Sequence, residues 1–154
     1  MNTEIKILIV EDNRNDADLL QKELKRAGLS FSSVVVETRE AYVIALDDFR
    51  PDIVLSDFSL PQFDGITAFH IKKKKYPEIP FVIVSATVGE EAAVELIRTG
   101  ITDYVIKDKL FTIGHKITRA LHEVDEVKEK ESAFEKLKAQ NKKLLEIAFL
   151  QSHQ

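Results

Sequence analysis

Three carboxylates stand at the ends of predicted strands and could together hold a metal ion. Glu11 and Asp12 follow the first apolar run of the chain, and Asp57 ends the third. In an open parallel sheet the carboxyl ends of the strands share one edge, where such sheets bind ligands. Like charges that converge there raise one another's pKa or require a cation, and oxygen ligands favour Mg²⁺. Taken singly, Asp12 or Asn13 has an ordinary alternative: it could cap the start of a helix and have no other role.

A hydroxyl and an amine stand at two further strand ends. Ser85 ends the fourth apolar run and Lys107 follows the fifth, so we expect both side chains in the space that the carboxylates face. Each has an ordinary alternative, because a serine at a strand end often bonds to backbone and a lysine there is often exposed to solvent. The strand ends together predict a pocket of carboxylates, a hydroxyl and an ammonium group.

The elements that would position these groups form a regular α/β pattern. Short β-branched runs alternate with amphipathic stretches of about ten to fifteen residues, which is typical of βα units around a parallel sheet. Strands are predicted at residues 5–10, 34–37, 53–57, 81–85 and 103–106. Helices are predicted at residues 16–27, 39–49, 66–76 and 90–99, each with a glycine or proline within two residues of its end. Right-handed crossovers place helices on both faces of the sheet.

The composition indicates a globular protein and excludes several classes of function. The 154 residues are 44% hydrophobic and carry a net charge of −4, which offers no general basic surface for nucleic acid or anionic lipid. We expect the four lysines at residues 72–75 to form a solvated helix face. The absence of cysteine excludes thiol chemistry, and no apolar run reaches the roughly 20 residues of a membrane span. We therefore expect a cytoplasmic protein with no membrane partner.

The last 40 residues contain neither glycine nor proline and predict one long helix. At 1.5 Å per residue it would measure about 60 Å, so we expect it to project from a domain of this size. Its second half has apolar residues at the spacing of a coiled coil, with Asn141 at a position that would set the register. The residues predicted to form a parallel homodimer are Phe134, Leu137, Asn141, Leu144 and Ala148. The alternative is a fraying terminal helix.

Four segments in this order resemble the receiver domain of two-component response regulators. They are LIVEDN at residues 8–13, DIVLSDFSLPQFDG at 52–65, VIVSA at 82–86 and DYVIKD at 103–108. The resemblance covers residues 4–122 and implies a CheY-like, flavodoxin-like (βα)5 doubly wound parallel sheet with strand order 2-1-3-4-5. We expect residues 1–122 to form the receiver domain and residues 123–154 a coiled-coil linker or dimerisation segment.

The resemblance also implies a chemistry for the strand-end residues. Asp57 would accept a phosphoryl group from a phosphohistidine on a histidine kinase or phosphotransfer protein. Mg²⁺ would be held by Glu11, Asp12, Asp57 and the backbone carbonyl of Ser59. Lys107 and the Ser85 hydroxyl would each bind a phosphoryl oxygen. Such a domain is a signalling module, not an enzyme, apart from catalysing its own phosphorylation and dephosphorylation.

A conformational switch and one departure from the family pattern follow from the same resemblance. Tyr104 occupies the place of the family's switch aromatic on the fifth strand, and Ala86 leaves access to the phosphoryl group. The fourth helix and the fifth strand would relay the change. Receivers commonly have proline after the lysine, whereas Asp108 follows Lys107 here. We expect a trans bond or a strained turn at that point, since a cis bond before a non-proline residue costs about 2.5–4 kcal/mol.

The final segment, KKLLEIAFLQSHQ at residues 142–154, resembles the start of a histidine kinase dimerisation and phosphoacceptor helix. His153 would match the phosphoacceptor histidine, which makes it a possible second phosphoacceptor. The chain would then be the N-terminal piece of a larger receiver-kinase protein. A surface histidine without that role is the alternative.

Two other functions compete with a phosphorylated receiver. A flavodoxin-like cofactor module would need a loop after the first strand that holds phosphate, but Glu11 and Asp12 occupy that loop and would repel it. A pseudo-receiver that is never phosphorylated and acts as an interaction and dimerisation scaffold could contain all the same residues. Phosphorylation of Asp57 distinguishes the scaffold from the receiver.

Overall fold

The structure is a computed structural model that describes residues 4–60, 64–86 and 90–152. Within these residues, five parallel strands form one sheet in the order β2-β1-β3-β4-β5. The strands are β1 (Ile5–Val10), β2 (Phe31–Val36), β3 (Ile53–Asp57), β4 (Phe81–Ser85) and β5 (Asp103–Ile106). The predicted fold and strand order are confirmed. Strand β2 begins three residues earlier than predicted, because pairing with β1 extends it to Phe31.

Helices follow the strands along the chain. They are α1 (Arg14–Arg26), α2 (Arg39–Asp48), α3 (Gly65–Lys75), α4 (Glu90–Thr99) and α5 (Ile113–Ser152), with a 3₁₀ helix at Lys107–Thr112. Asn13 is the N-cap of α1, since its side chain accepts a hydrogen bond from the Asp16 backbone N–H. The capping role that the sequence left open for Asp12 or Asn13 therefore belongs to Asn13.

Both faces of the sheet are covered, which explains why its strands are almost wholly apolar. Alternate residues of a strand point to opposite faces. Leu8 and Val10 belong to one core, together with residues of α2, α3 and α4. Ile7 and Ile9 belong to the other, together with α1 and the first turns of α5. The central strands are therefore held between two apolar layers, and their carboxyl ends are left to carry polar groups.

The lysine run of α3 is not a uniformly solvated face, so that prediction was wrong for its first member. Lys72 is only 4% exposed, and its Nζ donates to the Pro77 carbonyl at 3.3 Å. Burial lowers the pKa of Lys72. Four consecutive residues turn a helix through about 300°, so one of them must face the core. Lys75, by contrast, forms an exposed ion pair with Asp47.

The chain divides into two compact units, Met1–Leu121 and His122–Gln154. In the first unit α5 buries Ile113, Ile117 and Ala120. In the second, the residues predicted to form the dimer are all exposed, among them Phe134 at 63% and Leu144 at 63%. Among the helices of the described residues, none is both long and apolar enough to cross a membrane. His153 lies outside the described residues.

Candidate functional site

The structure brings the three predicted carboxylates together at the carboxyl edge of the sheet. Strands β1 and β3 are neighbours, and Val10 lies opposite Ser56. The next residues, Glu11 and Asp57, therefore lie side by side. Each of Glu11, Asp12 and Asp57 has a carboxylate oxygen within 4.8 Å of the others. Glu11 is buried, Asp57 half-buried and Asp12 exposed. Oxygen donors with one side open to solvent fit Mg²⁺, which keeps several of its waters.

The turn after β3 holds Asp57 in place. The backbone N–H of Ser59 donates to Asp57 Oδ1 at 3.4 Å, so Ser59 lies beside the carboxylate. The Gly65 N–H donates to the Phe58 carbonyl at 3.0 Å and so ties the start of α3 to the end of β3. A Cβ at Gly65 would lie 2.7 Å from the Asp57 backbone oxygen. Glycine at this position therefore allows α3 to start directly against the end of β3.

Lys107 reaches into the carboxylate cluster from the fifth strand. Its Nζ lies 3.2 Å from Glu11 Oε1 and 3.5 Å from Asp57 Oδ2. Peptide bonds in the described residues are all trans, so the Lys107–Asp108 bond takes the first of the two geometries that we expected. A 3₁₀ helix starts at Lys107, and Asp108 stands in it at the position where the family resemblance implies proline. The lysine reaches the cluster without that proline.

A fourth carboxylate, which the sequence analysis did not identify, also contacts the lysine. Asp16 Oδ2 lies 2.8 Å from Lys107 Nζ, closer than Glu11 or Asp57. Asp16 belongs to the first turn of α1 and had been assigned only to the start of that helix. The sequence feature that could have identified Asp16 is its position four residues after Asp12, because the first turn of the helix after β1 begins at the same edge of the sheet.

The electrostatics of the cluster show an excess of negative charge. Burial of Glu11, its hydrogen bond to Asp57 and the Asp57 charge together raise the pKa of Glu11 to about 8. Burial lowers the pKa of Lys107, but its bond to Asp16 and the charges of Glu11 and Asp57 raise that pKa to about 12. The bond to Lys107 holds the pKa of Asp16 below its usual value. The site therefore retains a proton on Glu11 at neutral pH, and a bound cation would displace it.

Ser85 and Ala86 lie at the end of β4. Because Val84 pairs with Asp57 in the sheet, Ser85 is the next residue along the strand beside the one that carries Asp57. Ser85 is buried, whereas Ala86 is exposed. The serine thus stands at the predicted edge, and a small exposed residue follows it.

Tyr104 lies on β5, half-buried against the core that β1 shares with α2, α3 and α4. Lys116 of α5 lies over its ring, with Nζ 5.4 Å from the ring centroid, and donates to the Tyr104 carbonyl at 2.9 Å. Lys116 also pairs with Asp103 at 3.0 Å. The tyrosine is therefore in contact with α5 in this conformation.

The first part of the chain is similar to known regulatory proteins. The sequence model of the response regulator receiver domain matches residues 7–115. The luminescence regulatory protein LuxO of Vibrio campbellii is 31% identical over 117 residues, which are 73% of this chain and 25% of that protein. The DNA-binding transcriptional regulator NtrC of Proteus hauseri is 30% identical over 101 residues, which are 66% of this chain and 21% of that protein. The chain thus spans a quarter or less of the length of these relatives.

Solved structures support the same assignment. The phosphorylated cyanobacterial phytochrome response regulator RcpA is 26% identical and superposes with a TM-score of 0.61, covering 75% of this chain and 91% of that one. The family match extends over more than half of the chain, and the sheet has the strand order that the family resemblance implied. This chain therefore belongs to the response regulator receiver domain family.

Proposed function

We propose that Asp57 is the phosphoacceptor of a two-component phosphorelay and that its phosphorylation requires Mg²⁺ bound beside it. The observation that carries this proposal is the cluster of Glu11, Asp12 and Asp57, whose oxygens lie within 4.8 Å of one another. Lys107 contacts two of the three. The similarity to RcpA, which has been solved in a phosphorylated form, adds support.

The transfer needs little covalent chemistry from the protein. A carboxylate oxygen of Asp57 attacks the phosphorus of a phosphohistidine on the partner, and a P–O bond forms as the P–N bond breaks. The electron pair of the broken bond stays on the imidazole nitrogen, and a proton on the ring makes the imidazole a neutral leaving group. The product is an acyl phosphate on Asp57, which stores the signal. The chain's task is to position the groups and balance charge on the phosphoryl oxygens.

Each of the surrounding residues has a part in balancing that charge. Glu11, Asp12, Asp57 and the Ser59 carbonyl would hold Mg²⁺, which would supply positive charge to offset the negative charge of the carboxylate and of the phosphoryl group. Lys107 Nζ bonds one phosphoryl oxygen and the Ser85 hydroxyl another. These bonds are charge-assisted and therefore about twice as strong as neutral ones.

The signal then passes through β5 and α4. Phosphorylation adds about one further negative charge at Asp57, and its oxygens draw the Ser85 hydroxyl toward the site. Tyr104 responds by changing the orientation of its ring, and Ala86 leaves room at the phosphoryl group. The contacts of Lys116 with Tyr104 support a coupling to α5.

The domains and partners are part of the same proposal. Residues 1–122 form the receiver, and residues 123–154 form a linker that dimerises in parallel through Phe134, Leu137, Asn141, Leu144 and Ala148. Exposure of the large apolar members of this set supports it, because a two-stranded coiled coil buries such a stripe. The upstream partner is a cytoplasmic histidine kinase or phosphotransfer protein. The net charge of −4 argues against nucleic acid binding by this chain, although one longer relative is named as DNA-binding.

Phosphorylation can be tested directly with a small donor. The protein is incubated with acetyl phosphate and Mg²⁺, and intact mass is measured for wild type, Asp57→Asn and the matched control Asp48→Asn, which alters an exposed acid at the end of α2. Wild type and the control should gain one phosphoryl group, and Asp57→Asn none. A folded wild type that gains no mass would refute the proposal and favour the scaffold.

The helical segment needs a separate measurement. Light scattering should give a dimer for the full chain and a monomer for a chain that ends at Glu123. Equal monomeric masses would refute the dimer and leave the phosphoacceptor proposal unaffected. The second proposed acceptor, His153, is tested by phosphohistidine-specific detection after incubation with a histidine kinase, where His153→Gln should lose the signal.

A further inference from the structure

Lys107 makes its shortest ion pair with a residue that takes no part in the proposed metal site. Its Nζ lies 2.8 Å from Asp16, 3.2 Å from Glu11 and 3.5 Å from Asp57. Attraction between opposite charges falls as their separation grows, so the ammonium group is held toward Asp16. The carboxylate that would accept the phosphoryl group has the longest of the three contacts.

Asp16 is a fixed acceptor, because the start of α1 holds its backbone. The Asn13 side chain accepts a hydrogen bond from the Asp16 N–H at 3.1 Å, and Ala17 N–H donates to the Asn13 carbonyl at 3.0 Å. Ala17 is itself buried in the fold. The carboxylate of Asp16, by contrast, is about one-third exposed, at 34%. The helix start therefore presents a carboxylate to Lys107 from a defined position beside the reactive edge.

We infer that Asp16 is a positioning residue that restrains Lys107 before phosphorylation. It holds Nζ away from Asp57, and a phosphoryl oxygen on Asp57 must compete with the Asp16 carboxylate for the same ammonium group. Removing the Asp16 charge releases Nζ toward the reacting carboxylate. This inference rests on the proposed phosphoacceptor function. It assigns to Asp16 a control of the reaction rate, not a metal ligand or a reacting group.

The first test compares phosphorylation rates with acetyl phosphate at saturating Mg²⁺. Asp16→Asn should react about fivefold faster than wild type, the change expected from losing one partly exposed ion pair of about 1 kcal/mol. Asp18→Asn is the matched control: it removes the same charge from an exposed position of α1, on the opposite side of the helix, since two residues turn it by about 200°. Asp18→Asn should react like wild type, and Asp16→Glu should stay closer to wild type than Asp16→Asn.

A Lys107→Gln background separates positioning from a general charge effect. If Asp16 acts through Lys107, the acceleration by Asp16→Asn should disappear when the ammonium group is absent. The same fivefold gain in both backgrounds would overturn the inference, and so would a rate for Asp16→Asn that equals or falls below that of wild type.

A measurement without any donor tests the contact between Asp16 and Lys107 separately from the proposed function. The NMR signal of the Lys107 side chain should shift in Asp16→Asn but not in Asp18→Asn. If wild type fails to react with acetyl phosphate, the phosphoacceptor proposal fails, and an unmoved Lys107 signal in Asp16→Asn would separately show that the contact does not exist in solution. A shifted signal together with an unchanged rate in a reactive protein would mean that the contact exists but does not control the reaction.

Discussion

Binding of Mg²⁺ should release a proton, because the metal-free site holds one on Glu11. Burial of Glu11 and its contacts with Asp57 raise its pKa to about 8. A group with that pKa is about 0.9 protonated at pH 7, half protonated at pH 8 and about 0.1 protonated at pH 9. Mg²⁺ requires the carboxylate, so binding should expel those fractions of a proton. The apparent association constant should therefore rise about ninefold from pH 6 to pH 7 and level off above about pH 8.

Isothermal titration calorimetry measures this release. Mg²⁺ is titrated at one pH in several buffers that differ in ionisation enthalpy, and the slope of observed heat against that enthalpy gives the number of protons released. Wild type should give about 0.9 at pH 7 and close to none at pH 9. Glu11→Gln, which has no proton to lose, should bind more weakly and release none. A slope near zero for folded wild type that binds Mg²⁺ at pH 7 would refute the charge assignment.

Three further predictions concern the effect of single substitutions on the stability of the fold. Gly65→Ala, which places a Cβ 2.7 Å from the Asp57 backbone oxygen, should lower the free energy of unfolding by about 1–3 kcal/mol in urea titrations and slow phosphorylation; wild-type values of both would contradict the close approach. Tyr42→Phe leaves the buried Ala68 carbonyl without its 2.7 Å bond and should cost about 1–2 kcal/mol by the same measurement. Lys72→Met should raise the unfolding temperature, because an apolar side chain replaces a buried amine whose hydrogen bond to Pro77 is 3.3 Å long. A lower unfolding temperature would show that this hydrogen bond stabilises the fold by more than burial of the amine costs.

The metal-free protein should also lose stability as the pH rises. Glu11 holds its proton more tightly in the folded state than in the unfolded chain, so the contribution of that proton is complete below about pH 4.5 and is lost as the pH rises through about 8. Urea unfolding in EDTA between pH 5 and pH 9 measures this slope. Glu11→Gln should reduce it, and an equal slope in both proteins would place its origin elsewhere.

The amino-acid sequence was sufficient to predict the framework of the site. Apolar runs that are buried on both faces identify parallel strands, and the edge of such a sheet collects whatever residues follow those runs. Glu11, Asp12 and Asp57 could therefore be placed together before any coordinates were known. Glycine and proline indicated the last residues of α1, α2 and α3 to within one residue, and α4 has the bounds that were predicted.

Only the tertiary structure decided which of these groups touch and what charge they carry. Asp16 binds Lys107 although 91 residues separate them. The position of Asp16 after β1 indicates the edge of the sheet where it lies, but it does not specify that contact. The lysine run implies that one of its members faces the core, but only the packing of α3 on the sheet decides that this member is Lys72, which is 4% exposed. The raised pKa of Glu11 depends on burial and on Asp57, which lies in another strand. Hydrophobic periodicity is a local property that sequence displays, whereas desolvation and Coulomb energy depend on distances that exist only once the chain is folded.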